Sequence, residues 1–239
     1  MKKGLPPIRW ILVLLPFLLN AQNLQLHYET HSDRQYLNAM LESYTFDQWG
    51  GTYWFVSFNF TDPDQTGSSS LGDVYGEIAR YVTLPFLPAF SYTLQYNDGV
   101  GFGGYENVYD SYQVGSIWLT GLSYALPVRQ GATQVDLLAR YLVRSEETQA
   151  QVTVAWFRPF GESGLEFVGY WDLWTETSAD DKRVPVILTE PQLWYTVWEN
   201  LDLGVGFELT YNWPSYDTGS LVHGKDTRIY PNLSTRWNF

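Results

Sequence analysis

The sequence contains no cysteine, few basic residues and no long apolar run beyond its first twenty residues, and each absence excludes a class of protein. Without cysteine the chain forms no disulfide framework, and it cannot carry the lipidated N-terminal cysteine of a lipoprotein. Lys and Arg number 14 against 26 Asp and Glu, which gives a formal net charge of −12. Because binding to backbone phosphates needs a basic face, we predict no nucleic-acid partner.

The N-terminus carries an apolar run that is too short to span a membrane as a helix. No segment after it approaches the roughly 20 apolar residues that a membrane-spanning helix needs. Residues 1–21 carry three basic residues, then the apolar run 10–19, and end on Ala21. A basic start, a short apolar core and a small final residue are typical of a secretory signal peptide. We therefore predict a signal peptide over 1–21 and one exported domain over 22–239.

Aromatic residues are abundant, at 18% of the chain with 11 Trp and 18 Tyr. In transmembrane β-barrels such residues form belts at the two lipid–water boundaries. Along the last eleven residues, Ile229, Leu233 and Trp237 share one face while polar residues occupy the other. This two-residue period fits a strand with one face in lipid and one in water. The final Phe239 also resembles the terminal aromatic of bacterial outer-membrane barrels, which the barrel-insertion machinery recognises.

The same period recurs in twelve segments of about ten residues, which predicts an all-β fold, a transmembrane antiparallel β-barrel of about 12 strands. The clearest segment is 201–211, where Leu203, Val205 and Phe207 alternate with glycines and polar residues. The predicted strands are 23–30, 35–45, 51–61, 72–84, 89–98, 112–124, 134–144, 149–159, 164–175, 186–196, 201–211 and 228–239.

The connections between these segments, numbered in chain order, differ in length between even-numbered and odd-numbered ones. The even-numbered ones, such as 46–50 and 85–88, are short, and 125–133 is the longest of them. An even-stranded barrel with both termini in the periplasm has tight periplasmic turns and longer outer loops, whereas a soluble sandwich has no reason to show this difference. We therefore predict a location in the bacterial outer membrane. Among the odd-numbered connections 31–34 and 145–148 are short, and four are long and polar, namely 61–71, 99–111, 175–185 and 212–227.

If the apolar rows face lipid, the opposite rows line a polar interior, because a charged side chain on the lipid face costs about 2–4 kcal/mol near the midplane. Twelve strands enclose more space than eight, so we expect a narrow pore with a small-molecule solute as its partner. The predicted interior set is Gln25, His27, Glu29, Asn38, Glu42, Tyr44, Ser57, Asn59, Tyr75, Glu77, Gln95, Asp136, Arg140, Arg144, Glu166, Tyr170, Asp172, Trp174, Glu190, Gln192, Trp194, Glu208, Asn232 and Arg236.

Several blocks of the sequence resemble the Tsx-like nucleoside-specific channel family, in particular its uncharacterised outer-membrane branch. The resemblance implies a twelve-stranded barrel whose narrow channel takes up nucleosides and similar small solutes through a pore of aromatic and ionisable residues. It also implies that Glu42 and Glu77 stand where the family places a carboxylate. The chain is shorter than the nucleoside channels, a departure that concerns the solute more than the fold. The blocks are YLNAMLESYTFDQWGGTYWFVSFNF (36–60), GEIARYVTL (76–84), EFVGYWDLW (166–174), EPQLWYTV (190–197) and RWNF (236–239).

A nucleoside pore needs aromatic faces that stack on a base, at about 1–3 kcal/mol each, and polar groups that bond the ribose hydroxyls. The alternative is that the aromatic side chains only fill the interior or form a girdle, and that the charges are structural pairs. The predicted pore-lining and substrate-binding residues are Glu42, Tyr44, Tyr75, Glu77, Asp136, Arg140, Tyr170, Trp174, Glu190, Trp194 and Arg236.

Two other functions stay open: a barrel enzyme of the lipase or acyltransferase type, and a plugged barrel with a structural or surface-binding role. His31, Ser32 and Asp33 are adjacent in sequence and so cannot form a triad with one another. The three histidines have no metal-ligand spacing, and the acidic residues of the predicted outer loops fit solvated loops better than a Ca²⁺ site. We therefore predict a channel that is not an enzyme and has no cofactor.

Overall fold

The structure of the protein, a computed structural model, describes residues 22–31, 35–60, 71–104, 107–143, 146–177, 182–212 and 227–239. The predicted signal peptide lies outside these residues. Among them no helix of membrane-spanning length and hydropathy is found. The strands are β1 (Asn23–Glu29), β2 (Leu37–Asp47), β3 (Gly50–Phe60), β4 (Leu71–Leu84), β5 (Leu87–Gly104), β6 (Asn107–Ala125), β7 (Ala132–Leu142), β8 (Glu147–Pro159), β9 (Leu165–Thr177), β10 (Arg183–Thr189), β11 (Gln192–Trp198), β12 (Leu201–Tyr211) and β13 (Thr227–Asn238).

The strands form one closed antiparallel sheet. Consecutive strands pair from β1 to β9, and the sheet closes because β13 pairs with β12 on one side and with β1 on the other. At this seam the register runs from Asn23 opposite Asn238 to Glu29 opposite Asn232. Closure leaves every strand with two neighbours, which satisfies the backbone groups that an open edge would expose to lipid.

Strands β10 and β11 together occupy one position of the barrel, since both pair with β9 and with β12. The thirteen strands thus make a twelve-strand barrel, which confirms the predicted fold. The predicted strand 186–196 is wrong in being continuous, because it is interrupted at Glu190 and Pro191. Proline has no N–H for the ladder. The neighbouring groups stay bonded: Glu190 N–H donates to the Tyr170 carbonyl at 3.1 Å, and Phe207 N–H donates to the Pro191 carbonyl at 3.3 Å.

The other strand boundaries agree with the prediction to within a few residues, except in the β5–β6 hairpin. The predicted connection 99–111 is wrong, because β5 continues to Gly104 and β6 begins at Asn107. The pairing persists through the glycines with register shifts after Asn97 and Phe102. Glycine indicates a turn in many sequences, but here it accompanies bulges within a ladder. The predicted connections 61–71 and 212–227 lie almost wholly outside the described residues.

The tight turns lie at one end of the barrel, here called the short-turn end, and the first strand starts and the last strand ends there. Strands β2 and β3, β4 and β5, and β11 and β12 are joined by two-residue turns, and the turns 126–131 and 160–164 are longer. In the first turn the Asp47 carboxylate accepts hydrogen bonds from the N–H groups of Trp49 (2.8 Å) and Gly50 (3.1 Å). Asp at the start of a turn is favoured because its side chain caps the following N–H groups.

Apolar side chains cover the outside of the barrel. On β12 and β13 the exposed row includes Leu203, Val205, Ile229, Leu233 and Trp237, while the side chains between them point inward. The row predicted from the last eleven residues therefore faces outward. Large exposed apolar side chains arranged around a closed sheet form the surface that a lipid bilayer solvates.

Candidate functional site

The strand registers place the predicted pore-lining residues on the inner face of the barrel. Asp136 and Arg140 on β7, for example, alternate with Leu137, which is 61% exposed on the outer face. The structure shows that these side chains point toward the interior, whereas their contact with a solute stays a prediction. Arg144 lies outside the described residues. The inward-facing members of the predicted set are Glu42, Tyr44, Tyr75, Glu77, Asp136, Arg140, Tyr170, Trp174, Glu190, Trp194 and Arg236.

Five rings follow one another along the inner wall of β2, β3 and β4, and we call them the aromatic ladder. The members are Phe46, Tyr44, Tyr53, Phe55 and Tyr75. Successive ring centroids are 4.6, 6.2, 6.0 and 5.8 Å apart, within the range of favourable aromatic pairs. The ladder starts at the short-turn end, where Phe46 is 74% exposed, and rises along the wall. It offers a continuous, polarisable aromatic track along the inner wall.

Two carboxylates stand on either side of the ladder at Phe55. The register of β3 places Glu42 of β2 opposite Phe55 on one side and Glu77 of β4 opposite it on the other. Glu42 accepts a hydrogen bond from Gln25 at 2.5 Å. Glu77 makes no hydrogen bond within the described part of the chain, and its electrostatic neighbours are Asp172 and Asp136. Glu77 therefore has oxygen atoms free to accept bonds from a hydroxyl or an ammonium group.

Negative charge dominates the inner face. Among the described residues the inward arginines are Arg140, Arg228 and Arg236. Fixed charges of one sign in a narrow passage with low-dielectric walls raise the local concentration of the opposite ion and oppose entry of the like ion. The interior is therefore suited to cations and neutral solutes. The inward carboxylates are Glu29, Glu42, Asp73, Glu77, Asp136, Glu147, Glu166, Asp172, Glu176, Glu190, Asp202 and Glu208.

Arg236 is held by carboxylates and an indole ring near the short-turn end. Its Nε donates to Asp202 at 2.7 Å and its Nη2 donates to Glu166 at 2.6 Å. The guanidinium carbon lies 4.8 Å from the ring centroid of Trp194, which is only 1% exposed. The ring lies over Gly204, where a Cβ atom would come within 2.5 Å of it. The cluster fixes β9, β11, β12 and β13 to one another through side chains.

Arg140 forms a second cluster of the same kind, farther from the short-turn end. Its Nη1 donates to Gln149 at 2.6 Å and to Glu176 at 3.1 Å, and its guanidinium lies 5.2 Å from the Trp174 ring centroid. The Trp174 indole N–H also donates to Glu176, at 2.9 Å. In both clusters an arginine occupies a tryptophan face, so these two rings have little surface left for stacking on a solute. The tyrosines of the predicted set and the aromatic ladder remain as candidates.

A serine and a histidine meet at the barrel seam. Ser234 Oγ lies 2.7 Å from His27 Nδ1, and His27 Nε2 lies 3.0 Å from Gln25 Oε1. Catalytic Ser–His pairs have the histidine oriented by a further group and the serine open to substrate. Here the His27 ring packs edge-on against Trp194 with centroids 5.9 Å apart, and both Ser234 and His27 are buried. The contact bridges β1 and β13 and so contributes to closure.

Sequence reasoning missed three members of the ladder, namely Phe46, which the prediction placed in the connection 46–50, and Tyr53 and Phe55 on β3. The prediction placed Ser57 and Asn59 inward, and Tyr53 and Phe55 have the same parity on β3. Because β3 is aromatic on both faces, the alternation of polarity is lost there, although the alternation of side-chain direction is not. Ser57, Phe55 and Tyr53 are each two residues apart, so the predicted inward orientation of Ser57 could have been extended along β3 to find both residues. The part of the chain that the structure describes holds no group of His, Asp and Glu suited to a metal ion.

Comparison with known proteins agrees with this architecture. No curated protein matches the sequence. The NanC porin structure has a similar fold, with a TM-score of 0.54 at 10% identity over 91% of this chain and 99% of that chain. A structure of the KdgM porin gives 0.49 at 10% identity, over 91% and 99% of the two chains. OmpT, an outer membrane protein of Vibrio cholerae, gives 0.45 at 6% identity over 91% and 95%.

The broad assignment rests on the barrel itself. A closed antiparallel barrel with an apolar exterior is the form in which β-sheets span bacterial outer membranes, so the predicted location in the outer membrane is confirmed. The nucleoside specificity that the Tsx-like resemblance implied is not confirmed by the comparisons. The family model that matches is a domain of unknown function, DUF5020, over residues 21–239. The chain is a member of the DUF5020 family, built as an outer-membrane β-barrel of twelve strands.

Proposed function

We propose that this barrel is a passive channel for small neutral or cationic solutes that carry a planar ring, nucleosides among them. The observation that supports the proposal is the aromatic ladder with Glu42 and Glu77 on either side of Phe55. A base would lie against the rings of the ladder, and ribose hydroxyls would donate to the two carboxylates. The preference for nucleosides also draws on the sequence resemblance to the Tsx-like family.

The electrostatics of the inner face support the same class of solute. A solute with its own negative charge would meet the inward carboxylates at close range, and Arg140 and Arg236 are already engaged by Glu176 and by Asp202 and Glu166. A neutral ring with several hydroxyl groups meets no such repulsion and can accept or donate bonds along the wall. Among the described residues we find no geometry that favours the enzyme alternative, since the Ser234–His27 contact is buried at the seam.

The ladder can be tested through the block of ion current by an added nucleoside in planar bilayers. Removing the central ring with Phe55→Ala is expected to weaken the block about five-fold or more, because stacking of a base on one ring contributes about 1–3 kcal/mol. The matched control is Phe58→Ala, which removes the same side chain from the outer face of the same strand. We expect its block to equal that of the wild type.

Two outcomes would contradict the nucleoside assignment. One is an equal block of wild type and Phe55→Ala by the nucleoside. The other is a wild-type current that ribose alone blocks as strongly as the nucleoside does, since ribose has no base to stack. In either case the barrel would remain a channel as long as it conducts, so the experiment separates the solute from the passage.

A further inference from the structure

A cavity of about 670 Å³ opens on the outer wall at the short-turn end, away from the interior. The β6–β7 turn and the β8–β9 turn form its two sides. Arg158 stands opposite Phe167 in the β8–β9 register, and both have the parity opposite to Glu166, which points inward to Arg236. The cavity is therefore open to the surroundings of the barrel. Its lining consists of Arg129, Gln130, Arg158, Pro159, Phe160 and Phe167.

Two arginines in the cavity lack a carboxylate partner. Arg158 donates to the Gln130 carbonyl at 2.8 Å and to Thr133 Oγ1 at 3.0 Å, which fixes its guanidinium at the mouth of the cavity without neutralising it. Neither Arg129 nor Arg158 forms an ion pair with any described residue, and Glu162 in the adjacent turn forms none with them. Arg80, at the same end of the barrel, is by contrast paired with Asp47 at 2.9 Å. The cavity thus presents two unneutralised cations on a chain with a net charge of −12.

Apolar surface continues from the arginines along the wall. Phe160 is 53% exposed, and the Phe167 ring lies 5.6 Å from that of Trp156 on the same outer face. A second groove of about 300 Å³ lies on the other side of the β6–β7 turn, on the outer wall of β5 to β7. The surface is thus cationic at the rim and apolar toward the middle of the membrane. The second groove is lined by Phe90, Leu122, Ser123, Tyr124, Val135 and Leu137.

We propose that this surface binds a glycerophospholipid with an anionic headgroup, in the leaflet at the short-turn end. The phosphate would lie between Arg129 and Arg158, where two guanidinium groups supply charge-assisted donors. An acyl chain would lie against Phe167 or along the groove of β5 to β7. The polarity of the surface matches a lipid rather than a soluble anion, since the apolar part would gain nothing from a free phosphate. The site is independent of the solute that crosses the barrel.

Native mass spectrometry of the detergent-purified barrel tests this site with phosphatidylglycerol as the probe. The wild type is expected to retain one phosphatidylglycerol in preference to phosphatidylcholine. The double variant Arg129→Gln, Arg158→Gln should bind it at least about five-fold more weakly, because each basic residue near a lipid headgroup contributes roughly that factor. The control Arg80→Gln removes an arginine at the same end and should leave binding unchanged.

The outcomes that would overturn the proposal are distinct. Equal retention of phosphatidylglycerol by the wild type and the double variant would show that the arginines do not form the site. Displacement of the lipid by an equal concentration of glycerol phosphate would show a site for phosphate alone. The single variant Arg129→Gln is also measured, because Arg129 lies in a turn and its replacement should leave the barrel folded. We expect this variant to bind the lipid more weakly while its circular dichroism equals that of the wild type.

Discussion

At the scale of single residues, the interior is organised by arginines that each serve several partners. Arg236 joins Asp202 and Glu166 and covers Trp194, whose ring in turn requires a glycine at Gly204. None of the three partners of Arg236 is close to it in sequence. The charges of this cluster are therefore mutually dependent, and the loss of Arg236 leaves Asp202 and Glu166 without their counter-ion.

The buried cluster can be compared directly with an ion pair at the surface. Arg236→Met is expected to lower the free energy of unfolding by about 3 kcal/mol, because it leaves two partly buried carboxylates unpaired. Arg80→Met removes the exposed pair with Asp47 and should cost less than about 1 kcal/mol. Urea unfolding in lipid vesicles measures both. Similar, small losses for the two variants would show that the interior cluster contributes no more than a surface pair.

Alternation along each strand predicted many of the polar residues that face the interior, and the structure places every described member of that set on the inner face, but it missed Tyr53 and Phe55. Partners within the interior could not be predicted in this way. The contact between Glu166 and Arg236 spans 70 positions of sequence and depends on the registers of β9, β11, β12 and β13 together. Sequence periodicity carries no information on such registers. The packing of Arg140 on Trp174 and of Arg236 on Trp194 therefore could not be predicted from the sequence.

At the scale of the elements, the interruption between β10 and β11 is the main departure from a regular barrel. Strand β9 accommodates it with Gly169, whose φ is +155°. A Cβ atom at this position would lie 2.5 Å from the Glu190 carbonyl oxygen and 2.8 Å from Cζ2 of Trp156. The backbone of the interrupted strand thus approaches β9 more closely than a side chain at this position would permit.

This close approach predicts the effect of adding one methyl group. Gly169→Ala is expected to destabilise the barrel by about 1–3 kcal/mol, since backbone atoms must move to relieve the contact. The control is Gly115→Ala, because a Cβ atom at Gly115 meets nothing within 4 Å. Urea unfolding of both variants in vesicles provides the comparison. An unchanged stability for Gly169→Ala would mean that the interruption is loosely packed.

The elements themselves could be predicted well where one face is apolar and the other polar, as in β7 and β12. The prediction was wrong at Pro191 and in the β5–β6 hairpin for related reasons. Proline and glycine indicate local backbone preferences, and these preferences can be met by a bulge or a break inside a sheet as well as by a turn. Which of the two occurs is decided by the neighbouring strands, which the local sequence does not describe.

At the scale of the whole molecule, the barrel separates its charges from its apolar surface. The outer wall carries exposed leucine, valine and aromatic side chains, and the inner wall carries most of the described carboxylates. The acidic residues of this chain are thus concentrated where a solute would pass. An interior of this sign is expected to favour cations over anions.

The most direct test of the account is the reversal potential of the purified barrel in a planar bilayer across a KCl gradient. We predict a measurable conductance and a reversal potential of the sign that shows selectivity for K⁺ over Cl⁻. In the double variant Glu42→Gln, Glu77→Gln this selectivity should decrease, because two carboxylates beside Phe55 are neutralised. Selectivity for Cl⁻, or an absence of conductance in barrels shown by circular dichroism to be folded, would contradict the assignment of the acidic inner face as an ion and solute pathway.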